Sequence, residues 1–272
     1  MKMCQVLTVS KSGYYAWKRR GPSNRSLADT VLKVEILETF WLSRFINGIL
    51  GTLNALLRRG IRCGHNRVRR LLRELGLCPK TVKKFKATTN SNHRLPVYPN
   101  LLKQDFTASA PDQKWVSDIT YIQTAEGWLY LCVFIDLYSR MVVGWAMSDR
   151  MTADLVTRAF LHAVMRRNPL PGLIVHSDRG SQYASAVFRA LLVKYHALGS
   201  MSKKGDCYDN AVAESFFGSL KTELVYHENY ETRKEACSSI FEHIEMFYNR
   251  IRLHSTLGYY TPVEFEQLKM VA

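Results

Sequence analysis

The sequence predicts an α/β protein, a mixed sheet with helices on both faces, preceded by a small all-α region. Two observations carry this. After Gln113, three apolar segments follow one another with only short turns between them, the pattern of an antiparallel meander, and the order then runs on as β-β-β-α-β-α-α-α. Before residue 76 the apolar spacing is helical and the charge strongly basic.

Taken in order, residues 6–21 read as a helix end, a turn at Ser12-Gly13 and a short aromatic helix, broken at Gly21-Pro22. Leu27, Val31, Val34, Ile36 and Leu37 are spaced for an amphipathic helix over 26–42. A second helix is expected over 50–59, stopped by Gly60, and a third over 66–75, stopped by Gly76. The third carries an apolar stripe (Val68, Leu71, Leu72, Leu75), with Arg67, Arg69, Arg70 and Arg73 mostly on its other faces. Two helices joined by a short turn, the second basic, suit a helix-turn-helix DNA reader over 1–76. A solvated basic helix in a bundle fits as well. Residues 77–111 read as a basic, proline-containing linker able to follow a phosphate backbone.

From residue 112 a catalytic-type domain is expected to run to 272. KWVSDITYIQT alternates like a half-buried strand, WLYLCVFIDLYSR is continuously apolar like a central one, and MVVGWAMS is a third. Trp115, Trp128 and Trp145 read as core. A helix follows over 152–167 with Thr152 as N-cap, then a short strand in PGLIVHSD, then a helix over 185–196. ALGSMSKKGDCYDN reads as a polar loop, Asn210 as an N-cap for a helix over 211–224, and 233–250 as a last long helix.

Composition bounds the function. The 272 residues carry a net charge of +15, which favours a polyanionic partner. Ten Lys or Arg residues against one acid, Glu74, lie between Arg62 and Arg94, so this segment holds nine of those fifteen charges. No secretory leader opens the chain and no apolar run reaches the roughly 20 residues needed to span a bilayer, so a cytoplasmic, nucleoid-associated protein is expected. The six cysteines form no CxxC pair, and Cys63, His65 and Cys78 lack the spacing and the fourth ligand of a zinc site.

Three acids stand out by position. Asp118 interrupts the first strand, where a charge is costly unless it meets an opening or a cation. Asp178 follows the apolar run LIV at a strand end, where α/β sheets place ligands. Glu214 stands in the first turn of an apolar and aromatic helix. Each alone is more simply a turn, cap or dipole residue. Converging, they would repel one another unless divalent cations were held between them.

The words WVSDITYIQTAEGWLYLCVFIDLYSRMVVGW, HSDRGSQY, MSKKGDCYDNAVAESFFGSLKTEL and FYNRIRLHSTLGYYTPVEFE resemble the second-reading-frame transposases of bacterial insertion sequences, in the integrase-like DDE superfamily. The resemblance is dense over 113–266 and looser over 1–80, and 35 residues separate Asp178 from Glu214, the family's D-x35-E spacing. It implies a ribonuclease-H-like core with a five-stranded mixed sheet. It also implies that Asp118, Asp178 and Glu214 hold Mg²⁺ or Mn²⁺, as a pair of ions. Lys221, two helical turns beyond Glu214, would contact the DNA end; an ordinary exposed lysine is the alternative. Arg179, Lys203, Lys204, Arg252 and His254 join it as candidate DNA contacts, with Arg67, Arg69, Arg70 and Arg73 in the helical region. Asp136 matches the family but suits a structural role, and Gly180 is expected to let the backbone turn sharply.

The resemblance implies metal-dependent cleavage of a DNA end and transfer of the freed strand, on double-stranded element ends and target, by at least a dimer. It also implies help from, or fusion with, the product of an upstream reading frame. An idle DNA-binding remnant and a ribonuclease-H-type nuclease that does not join strands are the rivals; the full triad opposes the first and the basic helical region the second. One departure concerns DNA delivery. Relatives have Tyr-Gly followed by arginines where this chain has Asn47-Gly48-Ile49-Leu50-Gly51-Thr52, so weak end binding by the chain alone is expected.

Overall fold

The computed structural model describes residues 2–80, 96–203 and 210–270. The chain divides into two compact units, Met1–Pro79 and Lys80–Ala272.

The first unit holds α1 (Lys2–Val6), α2 (Lys11–Arg19), α3 (Asn24–Leu42), α4 (Ile49–Arg58) and α5 (His65–Glu74). The turn expected at Ser12-Gly13 is instead the first turn of α2: Ser10 caps that helix by accepting from the Gly13 amide. Leu32, Ile36 and Phe40 of α3 bury against Leu56 of α4 and Val68, Leu71 and Leu72 of α5. Asp29 of α3 receives Arg67 and Arg70 of α5, tying the basic helix down through two of its four arginines.

The second unit is built on a five-stranded sheet: β1 (Lys114–Thr124), β2 (Gly127–Asp136), β3 (Val142–Ser148), β4 (Ile174–Ser177) and β5 (Leu198–Met201). The strand order is β3-β2-β1-β4-β5, with β1, β2 and β3 antiparallel and β4 and β5 added parallel to β1. The sequence reading had Leu198–Met201 in a loop. It is a strand because it pairs residue by residue with β4, and the ring of Tyr98 lies where a side chain on Gly199 would be.

One face of the sheet is covered by α6 (Ala153–Arg167) and α7 (Ala186–Lys194), around Trp115, Phe134, Phe160 and Phe188. The other is covered by α8 (Ala211–Glu223) and α9 (Arg233–Glu242), around Val116, Leu131, Phe216 and Ile240. Gly144 lets α6 approach β3: a Cβ there would stand 2.5 Å from the Ala159 carbonyl oxygen. The helix α9 runs on as a π-helical turn, His243–Tyr248, and α10 (Pro262–Met270) closes the unit. Asn249 next to that turn donates to the Val142 carbonyl and accepts from the Val142 amide, so a side chain completes the edge of β3.

Asp136 is structural: it is fully buried and accepts from the Asp112 and Ser139 amides and the Ser139 hydroxyl. Arg167 joins Asp112 to Glu266 of α10 through charge-assisted hydrogen bonds of 2.9–3.0 Å. Of the three tryptophans expected in the core, Trp115 is fully buried and Trp145 half-buried, but Trp128 is 46% exposed. Among the described residues no helix is long and apolar enough to cross a membrane.

Candidate active site

The site begins where two parallel strands part. β1 and β4 pair in register from Lys114↔Ile174 to Ser117↔Ser177, and pairing stops there. The next residue on each strand is an aspartate, Asp118 and Asp178. Paired strands lie about 4.8 Å apart, so the register alone makes these two carboxylates neighbours at an opening of the sheet.

Each aspartate is held by a local hydrogen bond. Asp118 accepts from the Ile119 amide at 2.8 Å, and Asp178 from the Gly180 amide at 2.9 Å. Gly180 does not have the left-handed backbone a sharp turn would require. A side chain there would instead crowd two polar groups: a Cβ would stand 3.0 Å from Asp178 Oδ1 and 2.9 Å from Gln182 Oε1, and those side chains would have to shift. The Asp118 carboxyl is pushed up to about 8, by burial first and then by the charge of Asp178, with Glu214 adding to it. Such a pair favours a proton or a cation.

Glu214 reaches the site from α8. That helix buries Ala213, Phe216, Phe217 and Leu220, which leaves Glu214 exposed in its first turn, with its carboxyl raised by partial burial. Among the described residues, no three His, Cys, Asp or Glu side chains stand close enough to hold one ion. The donor chemistry nevertheless suits a hard divalent cation, since Asp178 and Glu214 both repel the Asp118 charge, which Lys221 offsets only in part and a cation would relieve.

Lys221, two turns along α8, is not the exposed lysine that helical spacing allows. It is only 7% exposed, and its ammonium lies 5.0 Å from the centroid of the Tyr121 ring. Burial lowers its pKa while the charge of Asp118 opposes that shift, which places its ammonium near Asp118.

A buried polar layer supports the strand ends. Tyr183 shares a 2.8 Å hydrogen bond with Ser117, the residue before Asp118. His176 bonds Ser200 through Nδ1 and Ser202 through Nε2. Asn210 does not cap α8 with its side chain as expected; its amide donates to the Ser117 carbonyl at 3.5 Å. The sequence reading assigned no role to Ser117, Ser200 or Ser202. Nothing in the sequence marks these serines out from others in or beside a strand.

The other candidate DNA contacts separate into groups. Arg179 is half-buried and donates to the Ser202 carbonyl, and Lys203 is exposed beside it. Lys204 lies outside the described residues, as do residues 81–95 of the expected linker. On α5, Arg69 and Arg73 are exposed, whereas Arg67 and Arg70 are engaged with Asp29. Arg252 and His254 are not on the surface chemistry of the site. Arg252 clasps both oxygens of Glu223, and His254 is buried edge-on to Tyr248, its imidazole lowered to about 3 by burial and by Arg252.

Known proteins resemble this chain in sequence and in fold. The integrase core domain family matches residues 108–207 and again 214–270, and an HTH-like domain matches 26–85. The chain is 48% identical over 265 residues to the insertion element IS600 uncharacterized 31 kDa protein of Shigella sonnei, covering 97% of each chain. It is 45% identical over 266 residues to transposase InsF for insertion sequence IS3A of Escherichia coli (strain K12), covering 97% of this chain and 92% of the other. Among solved structures, a chain of the simian T-cell lymphotropic virus intasome in complex with PP2A regulatory subunit B56 gamma aligns with a TM-score of 0.51 and 18% identity. That alignment covers 79% of this chain and 70% of the other, and it speaks for the fold.

Proposed function

Because this chain belongs to the insertion-sequence transposases with an integrase core domain, we propose that Asp118, Asp178 and Glu214 form its active site for DNA end cleavage and strand transfer. The chain is a transposase, an enzyme of polynucleotidyl transferase type. The observation that most supports the assignment is the register of β1 and β4, which ends one residue before both aspartates.

Mg²⁺ or Mn²⁺, as a pair of ions, would be held by the three carboxylates, and would supply Lewis-acid activation of the attacking oxygen and charge neutralisation at the leaving oxygen. The chain's own residues do the rest by binding and orientation. In the first step water attacks a phosphodiester at the element's end; the P–O3′ bond breaks, the 3′ oxygen leaves as a hydroxyl and the phosphate stays on the other strand piece. In the second, that 3′-hydroxyl attacks another phosphodiester; a new P–O bond forms and a different 3′-hydroxyl leaves. No protein–DNA bond is required. Lys221, held beside Asp118, is suited to grip the phosphate next to the reacting one. Arg179 and Lys203 would extend that grip, and Arg69 and Arg73 would bind the backbone from the helical unit.

Two element ends call for at least two copies of the chain. The product of an upstream reading frame, separate or fused, completes the reading as the partner that secures end recognition. The test is strand transfer on labelled element ends with Mg²⁺, comparing the chain with Asp118→Asn, Asp178→Asn and Glu214→Gln. Loss of both cleavage and joining in each variant is expected. Equal activity in all four proteins would reject the site, and cleavage without joining by the unaltered chain would favour the nuclease reading.

A further inference from the structure

Next to Lys221 opens a cleft of about 570 Å³ that the catalytic assignment does not use. That is within the roughly 300–1,000 Å³ of pockets that enclose small ligands. Its floor is the end of β1 and its far wall is the segment following α8, which turns at Val225–His227 and returns to the β1–β2 hairpin. There the Tyr230 carbonyl accepts from the Ala125 amide, and the Arg233 amide donates to Glu126.

Three aromatic side chains line this cleft and remain open to solvent: Tyr121 (42% exposed), Trp128 (46%) and Tyr226 (42%). Exposed large rings gathered in one concavity are unusual, because each forgoes burial that would stabilise the fold. Tyr121 and Trp128 face each other across the β1–β2 pair, with centroids 4.9 Å apart and planes at 80°, forming a rigid corner. The ammonium of Lys221 sits over Tyr121 at the inner end, and Glu228 and Glu231 belong to the outer part. The cleft is therefore cationic where it meets the active site and acidic where it leaves.

Fixed aromatic faces beside a cation are what proteins use to hold unpaired nucleic acid, the rings stacking on bases and the cation meeting phosphate. A paired duplex presents no free base faces to such rings. Tyr121 lies three residues beyond Asp118, about 10 Å along the strand and on its alternate face, and Lys221 stands beside both, so a single strand leaving the carboxylates would pass Lys221 to reach the rings. We propose that this cleft is a stacking site for the unpaired bases of a DNA strand leaving the active carboxylates, with Trp128 and Tyr226 as the stacking faces and Lys221 as the phosphate contact at its entrance. The proposal rests on the assignment of Asp118 to the active site, and names a part of the substrate that this assignment leaves open.

The test measures affinity by fluorescence anisotropy of the full chain for two labelled duplexes of one sequence, blunt and with a short thymidine overhang. The unaltered chain should bind the overhang form more tightly. Base stacking is worth about 1–3 kcal/mol per base, so Trp128→Ala and Tyr226→Ala should each reduce overhang binding by roughly tenfold while changing blunt binding about twofold at most. Trp128→Phe, which keeps a ring, should retain most of the preference. Circular dichroism melting shows whether each variant is folded. Equal binding of the two duplexes by the unaltered chain, or a preference that survives both alanine substitutions, overturns the proposal. Asp118→Asn separates the two readings. It should abolish strand transfer and keep the overhang preference, whereas strand transfer that survives Asp118→Asn would reject the catalytic assignment while leaving the stacking result to stand on the aromatic variants.

Discussion

Arg252→Ala is expected to lower the melting temperature of the catalytic unit by roughly 6–20 °C. The guanidinium donates through Nε and Nη2 to both oxygens of Glu223 at 2.6–3.0 Å, and it lies 5.8 Å from the centroid of the Tyr248 ring. Glu223 is 8% exposed, so removing its partner leaves a buried carboxylate without its main counter-charge. Breaking one side of a buried ion pair costs about 3–5 kcal/mol, and a unit of this size loses about 2–4 °C per kcal/mol. A second substitution removes the penalty at its source. In Arg252→Leu with Glu223→Leu neither charge remains, and replacing a buried pair by apolar groups of similar volume is often neutral or stabilising, so most of the loss should return. The assay is calorimetric or circular-dichroism melting of the full chain, with DNA affinity measured in parallel. An unchanged melting temperature for Arg252→Ala, together with weakened DNA binding, would refute the structural reading and restore the surface role that the sequence suggested for this arginine.

Three further outcomes follow from the same geometry. Gly180→Ala should cut strand transfer strongly with little change in melting, because the added methyl stands 3.0 Å from Asp178 Oδ1; undiminished activity would show that this oxygen need not be held where it is. Gly144→Val should destabilise the unit by about 1–3 kcal/mol or more by forcing α6 off β3, read as an earlier denaturation midpoint in urea. The His254 contribution to stability should fall as pH drops from 6.5 towards 3, because the folded state lowers the His254 pKa from 6.5 to about 3 and so resists a proton that the unfolded chain accepts. Between pH 6.5 and 4.5 this amounts to about 3 kcal/mol at most, at 1.36 kcal/mol per pH unit. Asp118, raised to about 8, and Asp136, raised to about 6, work in the opposite direction down to pH 3.8 and offset this contribution in the unaltered chain, so it is read as the difference between two profiles. His254→Phe, which keeps the ring against Tyr248, should gain melting temperature relative to the unaltered chain as pH falls below 6.5; parallel profiles would refute this role for His254.

Much of the fold was legible in the sequence, since periodicity reports local burial directly. Alternation in KWVSDITYIQT and the continuous apolar run in LYLCVFID mark two strands, and both appear as β1 and β2; β1, read as half-buried, is the middle strand of the five. β5 was not legible from its own residues. Leu198–Met201 has neither alternation nor β-branched residues, and it is extended because β4 offers a parallel edge and Tyr98 closes over Gly199. The resemblance supplied the fifth strand that periodicity could not.

Side-chain roles were legible only where position along the chain fixes them. Asp118 and Asp178 are placed by strand register, which a sequence shows once the strands are recognised. Lys221, Arg252 and Trp128 are placed by what covers them, which a sequence does not show. Lys221 was read as a DNA contact with an exposed lysine as the alternative, Arg252 as a DNA contact, and Trp128 as a core ring. In the structure Lys221 is covered by Tyr121, Arg252 is clasped by Glu223, and Trp128 opens to solvent. These placements have one physical cause. A lysine or arginine can be buried where an aromatic face or a carboxylate meets its charge, and a tryptophan on the outer hairpin has no layer of helix above it to bury against. The buried lysine and the exposed tryptophan line one cleft and share a contact with Tyr121. The proposed path of a DNA strand therefore rests on one residue that the sequence already linked to DNA, Lys221, and one that it did not, Trp128.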